Sequence, residues 1–435
     1  MQRAALAMFV VALALPASAS GAQWRAAQML SSDGDGTAGS PTRPTVAVDG
    51  DGAAVAAWTP IAGRAVKLRR AASTPGAQAW TPLRSSVSAG RDGATAATRT
   101  LRLESWVDIT DVYSDETGVD VRVRGRSGEA LETRQLAVQP GGATLLRASG
   151  RRDGLLAVAW VEKAKARDAI VVWVRATDGT WAPMDGPSPA GFAHVSDLAL
   201  ALGAEGSLAI AALGDDRAVH ATLRGRDGAW SSWRTVSGPV ASGPQASYAS
   251  PVGLVLAWTR ALSSTKVSVE AAFAEPGAGI GPVKVLDPAG ARGPVRLGWA
   301  GPAAGVVAVW AADGPTARGG RIAFASRHPS GRWSSAATIA SDRAERLSDP
   351  RLAAISTGTF IAAWRRGGGP TGYVEGAVRT DLAGRFGAPQ RISSRGTGAI
   401  GALALAAGGR LGHVVWDAFT ARTGTWRVYA SRIRP

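Results

Sequence analysis

Residues 46–60 read VAVDGDGAAVAAWTP: an apolar run, a turn through Asp49-Gly50-Asp51-Gly52, and a second run ending at Trp58. Asp-Gly between two such runs is an ordinary hairpin signature. The hairpin is one copy of a repeat. GLLAVAWVE ends its apolar run at Trp160, VGLVLAWTR at Trp258, GVVAVWAAD at Trp310, GTFIAAWRR at Trp364 and RLGHVVWDA at Trp416. Successive tryptophans stand 102, 98, 52, 54 and 52 residues apart. The first two intervals are double steps that hide degenerate copies at WVDITDVYS (106–114) and GSLAIAALGDD (206–216). Eight units of about fifty residues result.

Each unit keeps one order. An Ala-rich strand (LALAL at 198, RLAAI at 351, ALALA at 402) leads through a Gly- or Asp-bearing turn into the Trp-ended strand. A loop follows, then an alternating strand such as RAVKLRRAAS, AIVVWVRAT, KVSVEAAFA, RIAFASRH or YVEGAVRT. A tight turn then opens a short strand led by an aromatic, as in DGTWAPM, DGAWSSWRTV, SGRWSSAATI and AGRFGAPQRI. Inner Trp and outer aromatic lie 21 to 23 residues apart from Trp58 to Trp80, Trp160 to Trp181, Trp310 to Trp333 and Trp364 to Phe386. Four short strands per fifty residues, with no long 3.6-residue period, spell an all-β propeller of eight four-stranded blades. Seven is the alternative if the second unit is an insertion. The last unit ends after its third strand, WRVYASRIR, and GAQWRAAQMLSS at residues 21–32 has the look of its missing fourth. The N-terminal strand should therefore complete the last blade and close the ring. No linker interrupts the period, so residues 22–435 read as one domain.

The repeats resemble those of the sialidase-like propeller superfamily of secreted bacterial proteins. The turns TDGTW (177–181) and RDGAW (226–230) are similar to shortened Asp-boxes of that group, with Asp and Trp two residues too close. In that family the box is structural, which implies a turn-forming role here. The resemblance would also imply, for a true sialidase, an arginine triad, a Tyr–Glu nucleophile pair and an acid Asp. Tyr113, Tyr248, Tyr373 and Tyr429 are the four tyrosines, and none sits in a matching context.

Residues 1–19 carry Arg3, an apolar run from Ala4 to Leu15, Pro16 and Ala17-Ser18-Ala19, the pattern of a cleaved secretory signal with a cut extending to about residue 22. The run falls short of the roughly 20 residues that span a bilayer. The expected location is extracellular or in the cell envelope, with no integral membrane segment in the mature form and a monomeric state. There is no cysteine, so disulfides, thiolate metal sites and cysteine nucleophiles are excluded. The formal net charge is +16, and only Lys67, Lys163, Lys165, Lys266 and Lys284 among the 49 basic residues are lysines. GC-rich coding accounts for part of the arginine, while the excess favours an anionic partner: an acidic polysaccharide, a wall polymer or an acidic protein surface. Export argues against nucleic acid.

Motifs with chemical potential are few. Asp33–Gly36 and Asp49–Gly52 both read DGDG; calcium loops need further ligands, so turn chemistry is the expectation. His194, His220, His328 and His413 are scattered without ligand spacing, so neither a metal nor a cofactor is expected. Glu104, Asp108, Asp111, Asp115, Glu116 and Asp120 form the densest acidic cluster. A glycan-active enzyme would draw its paired carboxylates from there. No catalytic residue is assigned.

Charge sorts by loop type. Loops between second and third strands carry Arg64, Lys163, Lys165, Arg167, Arg217, Arg260, Lys266, Arg318, Arg365, Arg366 and Arg422, against Asp215 and Asp216. The turns at the other end carry Asp49, Asp51, Asp153, Asp178, Glu205, Asp227, Glu275 and Asp381, against Arg151 and Arg152. These positions predict a disc with one basic and one acidic face. The leading reading is a non-catalytic binding or scaffolding propeller whose basic face engages an anionic glycan, wall polymer or acidic protein. The alternatives are a sialidase-like or other glycan-active enzyme and a purely structural surface protein.

Overall fold

The repeat folds as antiparallel sheets that follow one another in chain order in the computed structural model. It describes residues 22–31 and 44–435 except for 59–60, 63–64, 68, 84–87, 90–100, 106–108, 116–117, 125–129, 138–142, 151–153, 190, 204–205, 226–227, 240, 251–252, 276–277, 289, 300–304, 315, 317, 356–357, 381–383 and 394–397. Among the described residues the strands form six four-stranded sheets, two five-stranded sheets and one three-stranded sheet. The four- and five-stranded sheets are the repeat units. Their innermost strands adjoin one another in sequence order, from Thr45–Val48 through Leu101–Ser105 to Ala399–Gly408, which returns to Thr45–Val48. The ring is closed. The second unit, on which the seven-bladed alternative depends, forms a sheet of its own from Leu101–Ser105, Ile109–Asp115, Gly118–Arg124 and Ala130–Ala137.

Burial explains the two kinds of strand in each repeat. The second strand is covered on both faces by neighbouring sheets, so it reads as an unbroken apolar run. Leu156 to Val161 and Leu254 to Trp258 are buried throughout. The inner indoles of Trp160, Trp258, Trp310, Trp364 and Trp416 are among the largest fully buried side chains. The third strand alternates, as Ala169–Arg175 does with Ile170 and Val172 buried and their neighbours partly exposed. One expected strand differs. RAVKLRRAAS does not run straight: Arg69–Ser73 joins the first blade, while Ala65–Lys67 pairs with Ile61–Ala62 and Ser88–Ala89 in the separate three-stranded sheet.

Asp49 makes the first hairpin as its sequence implies. Its buried carboxylate accepts from the backbone N–H of Asp51 and Ala53, at 2.9 and 2.8 Å, and Gly52 takes φ +91° to turn the chain. In the TDGTW turn Asp178 accepts from the N–H of Thr180 at 2.8 Å beside Gly179 at φ +91°. Both are turn-forming roles. The other DGDG lies outside the described residues.

The ring is sealed by the N-terminal strand. Gln23 and Trp24 pair with Arg434 and Ile433, and Gln28 and Met29 pair with Ala430 and Tyr429. Trp24 packs among Ile361, Val374, Ile392 and Trp416 between the seventh and eighth blades. Closure removes the exposed sheet edge that an open array would present.

Candidate functional site: the channel mouth and its loops

The connections between second and third strands and those between blades open on the same end of the disc. Asp168, in a loop of the first kind, accepts a hydrogen bond from the N–H of Val195 at 2.8 Å in a connection of the second. This end also holds the mouth of the central channel.

The innermost strands arrive there through bulges. Register breaks between Thr144 and Arg147, Ser242 and Gln245, Arg292 and Arg296, and Ser348 and Arg351. Leu145, Gly243, Gly293 and Asp349 take positive φ at these breaks, and Pro244, Pro294 and Pro350 follow three of them. Proline lacks the N–H that a ladder needs, so it fits where the ladder is already interrupted. The bulge re-aims the next polar side chain toward the channel. Arg147, Asp197, Ser242, Gln245 and Arg296 thus line a recess of about 510 Å³ at the mouth. Arg147 also stitches the ring: its Nε donates to the Leu198 carbonyl of the next blade at 2.5 Å, and its guanidinium meets Asp197 at 2.6 Å. Arg351 repeats the stitch to the Leu403 carbonyl at 2.5 Å. These residues were not expected from the sequence; Gly-Pro or Asp-Pro inside an inner strand was the available signal.

Ten of the eleven loop cations divide into two groups. In the first, the charge is satisfied within the protein. Lys163 meets Asp168 at 2.7 Å; burial works against charge on Asp168, but bonds from Lys163, Val195, His194 and Ala164 outweigh it and hold the carboxyl at about 2. Arg260 meets Glu270 at 2.7 Å, and the second carboxylate oxygen of Glu270 accepts from Trp258 Nε1 at 2.8 Å. Arg366 contacts Asp342, Glu345 and Glu375, while Glu375 accepts from Trp364 Nε1 at 3.1 Å. Arg365 donates to the Gly401 carbonyl at 2.9 Å, and Arg167 donates to that of Pro189 at 3.1 Å. The Glu270 and Glu375 groups tie the inner Trp to the loop above it.

The second group faces water. Lys165, Arg217, Lys266, Arg318 and Arg422 are exposed and form no ion pair among the described residues. Arg64 lies outside the described residues. The exposed Asp215 and Asp216 share this end but hold local structure: Asp215 accepts from the N–H of Ala193, and Asp216 contacts His220 at 2.9 Å.

The far end is not uniformly acidic. Asp153, Glu205, Asp227 and Asp381, with Arg151 and Arg152, lie outside the described residues, and Asp49 is buried. Lys284, Arg327, Arg332 and Arg385 stand there between the fifth and seventh blades. The side chains of Glu104, Asp108, Asp111, Asp115, Glu116 and Asp120 also lie outside the described residues. Among the described residues no group of three or more His, Asp or Glu is placed to hold a metal ion, and no helix is long and apolar enough to cross a membrane.

A lectin from Burkholderia pseudomallei shares this architecture at a TM-score of 0.51 and 14% identity, covering 81% of this chain and 99% of its own. The chain is a β-propeller. A protein of unknown function from Dyadobacter fermentans matches at a TM-score of 0.41 and 13% identity, over 67% of this chain and 94% of its own. The six-bladed propeller lectin of Aleuria aurantia matches at 0.38 and 13%, over 70% and 97%. No family model matches the chain, and no curated protein does.

Proposed function

We propose that this propeller is an exported, non-catalytic binding protein whose channel end takes an anionic glycan or wall polymer. The observation that carries the reading is the division of the loop cations. Lys165, Arg217, Lys266, Arg318 and Arg422 stay exposed on loops of that end and unpaired among the described residues, although carboxylates on the same loops and strands neutralise Lys163, Arg260 and Arg366. Unpaired cations around a polar recess attract polyanions and orient them without chemistry. The propeller lectins among the solved structures make a saccharide the first ligand class to try.

The test is retention of the purified protein on immobilised acidic and neutral polysaccharides at two salt concentrations. Lys266, Arg318 and Arg422 are then changed to Ser together. Salt-sensitive retention on the acidic polymers, reduced by the triple change, is expected. Arg365 and Arg366 are unsuitable for this test, because reversing their charge breaks internal bonds. Equal retention of the triple variant, or equal binding to neutral polymers, would refute the reading.

A further inference from the structure

At the opposite end of the disc, two recesses flank a single indole. One, of about 470 Å³, lies between the fifth and sixth blades and is lined by Phe273, Pro282, Lys284, Arg327 and Trp333. The other, of about 410 Å³, lies between the sixth and seventh and is lined by Ser334, Arg379 and Arg385. Arg327, Arg332 and Trp333 line both, and among the described residues neither recess is lined by an Asp or Glu. Cations without a carboxylate in the described lining depart from the pattern at the channel end, where cations such as Arg260 and Arg366 have carboxylates beside them.

The exposed cations here are unspent. Lys284, Arg332 and Arg385 are exposed and form no ion pair among the described residues. Arg327 lies with its guanidinium 3.8 Å from the ring centroid of Phe273, a cation–π seat. Burial pulls its pKa below the ordinary arginine value, and the charge of Glu275 only partly opposes this. The aromatic between the recesses is equally available. Trp181 and Trp230 occupy corresponding positions in other blades, and their indole N–H groups donate to Glu132 and to the Asp185 carbonyl, both at 2.6 Å. Trp333 is only partly buried, and its N–H has no partner among the described residues.

We infer that this groove is a second ligand site, distinct from the channel mouth, for an acidic oligosaccharide lying across Trp333. Each recess has the volume of a small-ligand pocket. One sugar ring sits on either side of the indole, whose apolar face and free N–H suit the mixed surface of a pyranose. The carboxylate or sulfate of each sugar meets Arg332 and Arg385 on one side and Lys284 and Arg327 on the other, with arginine able to grip either acid in two bonds. A neutral sugar would leave these cations without partners.

The experiment is calorimetric titration with tetragalacturonate, a heparin-derived tetrasaccharide, neutral maltotetraose and inorganic phosphate. The proteins are the parent, Arg332→Ser/Arg385→Ser, Trp333→Phe, and Lys266→Ser/Arg422→Ser from the other end. The changed arginines are exposed and Trp333→Phe keeps an aromatic, so the fold is preserved; urea unfolding checks this. One or both acidic tetrasaccharides should bind. At the groove site the double arginine variant should lose tenfold or more in affinity, Trp333→Phe threefold or more, and the channel-end variant less than twofold. Failure of both acidic probes to bind up to 10 mM would overturn the inference. So would maltotetraose binding as tightly, phosphate competing with equal affinity, or an equal loss in the channel-end variant.

Discussion

Removing Glu270 tests whether the buried Trp–carboxylate–arginine groups hold the blades together. One oxygen of Glu270 accepts from Trp258 Nε1 at 2.8 Å, and the other meets Arg260 at 2.7 Å and Ser268 at 3.2 Å. The Glu270 side chain is 3% exposed and that of Arg260 31%. Glu270→Ala leaves a fully buried indole N–H without an acceptor, which costs about 1–3 kcal/mol. Breaking a fully buried ion pair from one side costs about 3–5 kcal/mol. Arg260 can turn to water, so only a fraction of that applies, and the expected total is about 2–4 kcal/mol. Glu270→Gln keeps an acceptor for the indole and gives up the charge, at about 1 kcal/mol. The assay is urea unfolding followed by tryptophan fluorescence, with midpoints compared at a common slope. If Glu270→Ala costs less than 1 kcal/mol, or if Gln costs as much as Ala, the indole–carboxylate bond does not carry the stability assigned to it.

Three further outcomes follow from the structure. His413 is fully buried; burial, reinforced by Arg432 and only partly opposed by the Gly52 backbone, holds its pKa at about 3. The unfolded chain therefore binds the extra proton first, and stability falls as pH drops from about 6.5 toward 3, by up to roughly 4 kcal/mol, a loss that His413→Gln should remove from a pH series of melting curves. Trp24→Ala, at the closing strand, should cost about 3–5 kcal/mol and speed proteolysis near the termini, read by limited digestion; an unchanged digestion rate would deny the strand its sealing role. Gly253→Ala forces a methyl to within 2.0 Å of the Phe273 ring, so a fall in midpoint worth about 1–3 kcal/mol is expected, and no fall would mean that Phe273 repacks freely.

The ring was legible because its evidence is periodic. Trp58, Trp160, Trp258, Trp310, Trp364 and Trp416 mark the same strand in six of the eight units, and each is buried for the reason that spaces them: the blade presents that middle strand to its neighbours. The pairing of the loop cations was not legible from position along the loop. Arg260 and Arg366 read as outward charges until cross-strand register places Glu270 opposite Trp258 and Glu375 opposite Trp364. A carboxylate facing an inner Trp across a hairpin, with an arginine two residues past that Trp, was the signal. The bulges escaped for a related reason: Gly243-Pro244 and Asp349-Pro350 interrupt strands whose alternation is otherwise regular, and a break in pattern carries no period. The groove beside Trp333 was hidden because its cations come from three blades, and sorting charge by end of the disc placed acids there instead.

The pairing of Gln23–Trp24 with Ile433 and Arg434 makes a clasp of the molecule's two ends. A load applied between those ends falls first on a handful of interstrand bonds and on the indole of Trp24, before any complete blade is stressed. The clasp is thus a mechanical fuse. Tension opens the ring at one seam, while the remaining sheets, each paired within itself, keep their hydrogen bonds and can rewind once the pull is released.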